Sequence, residues 1–149
     1  MIEGARELYQ EVILDHYRRP RNFHALDPAD RHAQGRNPLC GDVVEVYLRL
    51  DDDRIADIAF QGQGCAICTA SSSLMTEALV GHTVDEALEL FASFHALLTD
   101  EGAATGGELG KLEVFAGVRE FPVRVKCATL PWHTARAALE QREQPVTTE

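Results

Sequence analysis

Gly62-Gln-Gly-Cys-Ala-Ile-Cys-Thr-Ala-Ser-Ser-Ser73 is the stretch at which a period-two pattern of apolar residues gives way to a helical one. Gly62 and Gly64 break the preceding strand and let the backbone turn tightly. Leu74, Met75, Ala78 and Leu79 then carry one helical face, and Gly81 is the stop. Cys65 is thereby expected at a helix N-terminus, where the macrodipole and unpaired amides favour a thiolate, the form that a metal ligand and a sulfur nucleophile both require. For a lone cysteine the better reading would be a glycine turn that buries two small hydrophobic thiols. The other cysteines have to decide.

Upstream, Val44, Val46, Leu48 and Leu50 alternate with Glu45, Tyr47 and Arg49, Asp51-Asp52-Asp53-Arg54 makes a turn, and Ala56, Ile58 and Phe60 share one side of Ile55 to Gln61. This predicts an antiparallel hairpin with one buried face. A hairpin returns to its origin, so Asp42 at its start and Cys65 just past its end belong at the same end of the sheet. Before it, Pro28 to Gly35 has no period and reads as a polar loop leading into Asn37-Pro-Leu-Cys-Gly-Asp42, so Cys40 sits in a turn bracketed by Pro38 and Gly41. Ala5, Leu8, Tyr9, Val12, Ile13 and His16 form an amphipathic first helix that ends at Pro20.

Downstream, Thr83-Val-Asp-Glu86 has the form of a capping box, and Val84, Ala87, Leu88, Phe91, Phe94 and Leu98 continue as a helix. Residues 99–110 read as a loop; Leu112, Phe115 and Val118 predict a short helix. Phe121-Pro-Val123 is expected to be an extended approach to Cys127, with a last helix from Ala128 that holds Pro131 in its first turn. Gln144 to Glu149 is a tail expected to fray. No internal repeat is present. The expectation is a single α+β domain over residues 1–149, a small antiparallel sheet packed against several helices.

Composition narrows the function. With 14 Lys and Arg against 24 Asp and Glu, the formal charge of -10 argues against a nucleic-acid partner. No apolar run is long enough to cross a bilayer, and Met-Ile-Glu-Gly-Ala-Arg-Glu does not read as a signal peptide. A cytoplasmic location is expected, where the four cysteines of the chain mean metal or sulfur chemistry more often than disulfides.

Cys127 reads as a second cysteine directly before a helix. With Cys40 and Asp42 at the mouth of the hairpin it would complete a set of three sulfurs and one carboxylate, suited to zinc or to an iron-sulfur cluster. Two other readings stand beside this one: a redox dithiol at Cys65-Ala-Ile-Cys68, which would be expected near a βαβ pattern and not after a hairpin, and buried inert thiols. A zinc nucleotide deaminase is excluded, because the chain has no His-x-Glu and Gly64, not Pro, precedes Cys65.

Leu8-Tyr-Gln-Glu-Val-Ile-Leu-Asp-His-Tyr-Arg-Arg-Pro-Arg-Asn22, Asn37-Pro-Leu-Cys-Gly-Asp42, Gly62 to Ser73 and Val123-Arg-Val-Lys-Cys-Ala-Thr-Leu130 resemble, in order, blocks of the IscU/NifU-N family of iron-sulfur cluster assembly proteins. The chain is most similar to the SufU branch, which carries extra chain, here about residues 99–118. The resemblance implies an IscU/SufU-like fold with Cys40, Asp42, Cys65 and Cys127 at one end. It implies Cys40 as the persulfide acceptor, a cysteine desulfurase as sulfur donor, and downstream cluster-assembly or apo iron-sulfur proteins as recipients. The cofactor it implies is Zn2+ or a transient 2Fe-2S cluster. Lys126 stands where the IscU branch has a His before the last cysteine. Phe121-Pro-Val-Arg124 is a poor copy of that branch's chaperone-read segment, so chaperone dependence is not expected.

Three functions follow: a zinc-dependent, sulfurtransferase-like sulfur carrier, which the extra chain and Lys126 favour; a scaffold that assembles and transfers a 2Fe-2S cluster; and a structural zinc domain for protein interaction. His16, His24, His32 and His133 are expected in surface or packing roles, Ser71 to Ser73 in backbone hydrogen bonds, and Cys68 as a small packed side chain.

Overall fold

The computed structural model describes residues 2–38, 40–99, 110–141 and 146–147. In chain order the elements are α1 (Ile2–Arg18), β1 (Arg31–Asn37), β2 (Asp42–Asp51), β3 (Arg54–Gln63), α2 (Ala66–Leu79), α3 (Val84–Thr99), a 3-10 helix (Gly110–Glu120), α4 (Pro122–Leu139) and β4 (Val146–Thr147). The sheet order is β3-β2-β1-β4, antiparallel except where β4 pairs in parallel with Gly35 and Arg36. Helices cover one face, which makes this the α+β architecture expected.

The hairpin forms as its alternation predicts, with one correction. Val46 faces Phe60 and Leu48 faces Ile58, all buried, but the register shifts at Arg49 and Leu50, where Leu50 pairs with Ile55 and Arg49 with Asp57. Ala56 is the extra residue of that bulge and is exposed, so Ile55 enters the core in its place.

Residues 31–37 are a strand, not the polar loop expected. Ala33, Gly35 and Asn37 alternate inward beneath α4, but they are small or polar, so hydropathy carries no trace of the period. A Cβ at Gly35 would stand 2.0 Å from Thr134 Oγ1, so α4 rests directly on the backbone of β1.

The last helix also starts earlier than expected. Pro122 takes its first position, where a missing N–H costs nothing, and only Phe121 is extended. Cys127 is thus inside the helix, past its first turn, and does not repeat the N-terminal setting of Cys65. Pro131 lies in the helix interior, where it leaves the carbonyl of Cys127 without its intrahelical partner.

Thr83 and Glu86 form the reciprocal capping box of α3, the Thr83 N–H donating to Glu86 Oε1 at 2.9 Å and the Glu86 N–H to Thr83 Oγ1 at 3.1 Å. Leu112, Phe115 and Val118 are buried at intervals of three, the period of a 3-10 helix. Phe94 stacks on Trp132 at 4.6 Å and meets Phe115 edge-on at 5.8 Å, tying α3, the 3-10 helix and α4 into one core. The expected extra chain lies partly outside the described residues, as does most of the tail, in which Val146 and Thr147 nevertheless pair with β1. Among the described residues no helix is long and apolar enough to cross a membrane.

Candidate metal centre

Gly62 is still within β3, paired with Val44, at a φ of +142°. A side chain there would meet the carbonyl oxygen of Val43 at 2.1 Å. The glycine therefore lets β3 run close beside β2 up to the start of α2. Cys65 is the N-cap of that helix, its Sγ accepting the Cys68 N–H at 3.4 Å. Across the hairpin, Asp42 is 1% exposed, and its Oδ1 accepts the Cys65 N–H at 2.9 Å while Oδ2 lies 3.8 Å from Cys65 Sγ. The closure predicted from the hairpin is thus a direct hydrogen bond.

Cys40 reaches the same place from the β1–β2 turn. The N–H groups of Cys40 and Gly41 donate to Asn37 O at 3.2 and 2.8 Å, and Gly41 takes a φ of +74°, which reverses the chain into β2. Cys40 Sγ lies 3.3 Å from Cys127 Sγ, which α4 delivers from the opposite side. Ligand atoms of Cys40, Asp42 and Cys127 all fall within 4.8 Å of one another. Cys65 sits at the edge of this triple, against Asp42.

The electrostatics distinguish the thiols. A hydrogen bond from the Cys127 thiol lowers the pKa of Cys65 against the opposing cost of burial. The same bond, then burial and hydrogen bonds to Cys40 and Asp42, raise that of Cys127. Burial pushes Cys68 up as well; it is 3% exposed, as its expected packing role requires. Two thiols and a buried carboxylate this closely set are a soft donor set with one harder member, which zinc or iron fits. Cys40 is exposed while Asp42 and Cys127 are buried, so the centre is open at Cys40.

Asn37 is a residue that the motif quotation contained but the chemistry did not single out. It is fully buried, and its Nδ2 donates to Cys40 Sγ at 3.1 Å. Its signal in the sequence is the position three before a turn cysteine, a spacing typical of side chains that organise turns.

The other candidates stay out of the centre. His16 is buried with Nδ1 2.7 Å from Ser73 Oγ, His24 is exposed, His32 stacks on Tyr47 at 4.7 Å, and His133 packs against Phe91 and His95. Ser71 and Ser72 donate to the carbonyls of Ala128 and Cys68 at 2.6 and 2.8 Å, whereas Ser73 instead meets His16 and the Arg21 N–H.

Residues 8–128 match the model of the NifU-like N terminal domain. The chain is 42% identical over 134 residues to the iron-sulfur cluster assembly scaffold protein IscU of Streptococcus pyogenes serotype M1, covering 90% of this chain and 84% of that one. It is 37% identical over 136 residues to the zinc-dependent sulfurtransferase SufU of Bacillus subtilis strain 168, covering 91% and 92%. A crystal structure described as an iron-sulfur cluster assembly scaffold protein for the SUF system, from Fervidobacterium islandicum AW-1, superposes with a TM-score of 0.82 at 35% identity, covering 89% of this chain and 97% of that one. A fold, a thiol and carboxylate cluster and matches over nine-tenths of the chain agree: the protein belongs to the family of the NifU-like N-terminal domain, with relatives in both its IscU and SufU branches.

Proposed function

We propose that this chain accepts sulfur from a cysteine desulfurase as a persulfide on Cys40 and hands it toward iron-sulfur cluster assembly in the cytoplasm, with Cys40, Asp42, Cys65 and Cys127 as the donor set for Zn2+. The observation that carries this reading is the 3.3 Å approach of the exposed Cys40 Sγ to the buried Cys127 Sγ, beside the Asp42 carboxylate. Membership of the family, with a zinc-dependent sulfurtransferase among the relatives, supports it.

An acceptor thiol must enter a partner's active site. Cys40 stands on a turn at the rim, while Asp42, Cys65 and Cys127 are anchored in β2, at the N-terminus of α2 and in α4. In the transfer, Cys40 Sγ attacks the outer sulfur of the desulfurase persulfide, that S–S bond breaks, the desulfurase thiolate leaves, and Cys40 becomes the persulfide with no net oxidation. Asn37 aims Cys40 Sγ through its 3.1 Å hydrogen bond. A downstream cluster-assembly or apo iron-sulfur protein takes the sulfur by a second exchange of the same kind. Zinc held by these residues would keep the thiols deprotonated at neutral pH. Cys40→Ser should abolish acceptance of desulfurase-derived sulfur; acceptance at the unsubstituted rate would refute the assignment.

A second reading, a scaffold that assembles and transfers a 2Fe-2S cluster as cargo, is supported by the IscU scaffold among the relatives and by the same donor set. Metal and acid-labile sulfide analysis of protein purified without air separates the two. About one zinc per chain and no visible absorption supports the carrier, and iron with comparable sulfide supports the scaffold. A purely structural zinc site is the poorest fit, since Cys40 leaves the centre open where structural sites are closed.

A further inference from the structure

Cys68 is used by none of this chemistry, yet it adjoins the centre. It follows Cys65 across the first turn of α2, and its N–H points at Cys65 Sγ at 3.4 Å. Its Cβ folds back to within 3.3 Å of where a Cβ on Gly64 would stand, so the glycine leaves room between the two thiols and the β3–α2 junction. Cys65 is half-buried and Cys68 buried, an outer and an inner thiol on one helix turn. Across the centre, Cys40 and Cys127 are already in contact at 3.3 Å. Cys127 thus meets both Cys40 and Cys65, but from another helix, whereas Cys68 shares a helix turn with Cys65.

We propose that Cys68 is the resolving thiol of Cys65, so that a peroxide converts the pair to a disulfide and takes Cys65 out of the donor set. In the first step Cys65 Sγ attacks one peroxide oxygen and the O–O bond breaks, giving a sulfenic acid and water. In the second, Cys68 Sγ displaces the hydroxyl from Cys65 as a second water and the S–S bond forms. The two sulfurs together give up two electrons, and the peroxide receives them. A small dithiol restores both thiols by exchange. The link closes within one helix turn, whereas Cys40 and Cys127 are carried by the β1–β2 turn and by α4. The consequence for sulfur transfer rests on the function proposed above; formation of the bond does not.

The test is disulfide mapping of the whole metal-stripped chain after stoichiometric hydrogen peroxide, with free thiols alkylated before digestion and mass analysis. The expected product is an unalkylated peptide holding Cys65 and Cys68, two hydrogens lighter than its reduced form. A Cys40→Ser/Cys127→Ser variant should still form it, and in Cys68→Ser the Cys65 thiol should progress to higher oxidation states. Linkage of Cys65 to Cys40 or Cys127, or alkylation of both Cys65 and Cys68 after full loss of peroxide, would overturn the proposal. Sulfur acceptance plays no part in this readout, so a failure of the functional reading leaves it interpretable.

Discussion

The Cys65 N–H donates to the Asp42 carboxylate at 2.9 Å, joining the first residue of β2 to the cap of α2 from within the core. One side chain therefore closes the hairpin end, orients the start of a helix and contributes to the centre. Its roles separate by substitution. Asp42→Ala leaves a buried N–H without its partner and should cost about 1–3 kcal/mol in the metal-free protein, measured by urea unfolding. Asp42→Asn keeps an acceptor and should unfold near the unsubstituted midpoint, while its zinc affinity falls by more than the roughly 10–100-fold typical of losing an outer-shell partner. Equal loss of stability in both variants would mean that the charge, not the hydrogen bond, holds the junction.

Asn37 should govern the reactivity of Cys40 without taking sulfur itself. Asn37→Ala removes the hydrogen bond to Cys40 Sγ, and sulfur acceptance should slow by about 10–100-fold, as loss of a hydrogen bond to a charged group implies. Single-turnover transfer from a persulfidated desulfurase gives the rate, and unfolding of the same variant shows how much of the loss is structural.

Gly35 and Thr134 should be coupled. An alanine Cβ at residue 35 would collide with Thr134 Oγ1 at 2.0 Å and press Leu130 at 3.1 Å, so Gly35→Ala should destabilise by about 1–3 kcal/mol. Thr134→Ala removes the colliding atom. The double variant should be more stable than the sum of the two single effects predicts, a coupling that a double-mutant cycle reads directly.

His16 should make stability fall on the acid side. Burial, and then the Arg21 charge, lower its pKa from the ordinary value of 6.5, with Glu77 and Asp15 opposing. The unfolded chain then binds the proton more readily than the folded one. The contribution is complete above the ordinary value and is lost as pH falls through it toward the folded value. Urea midpoints measured from about pH 8 to about pH 5 should drop more steeply for the unsubstituted chain than for His16→Asn. Parallel curves would place the acid sensitivity elsewhere.

How far the sequence could be read depended on side-chain size. The hairpin was legible because Val44, Val46 and Leu48 are large and alternate with polar neighbours, and its closure brought Asp42 to Cys65 as the pattern required. β1 was not legible, since the residues it turns inward are Ala33, Gly35 and Asn37 and the packing of α4 selects smallness there. The first turns of α4 were hidden for another reason: Phe121-Pro-Val123 has the composition of an extended segment, and tertiary packing of Leu130, Trp132 and Ala135 decides for a helix beginning at Pro122. Cys127 therefore lies inside the helix and not directly before it, although the residue still arrives beside Cys40.

In the proposed function, Cys40 is the thiol that receives the sulfur. Incubation of the zinc-loaded chain with a cysteine desulfurase and cysteine, followed by trapping of persulfides and peptide mass analysis, tests it in one step. One additional sulfur atom is expected on the peptide containing Cys40, and none on those containing Cys65 or Cys127. Sulfur on Cys65 or Cys127 with Cys40 unmodified, or none on any cysteine of a chain that binds the desulfurase, would contradict it.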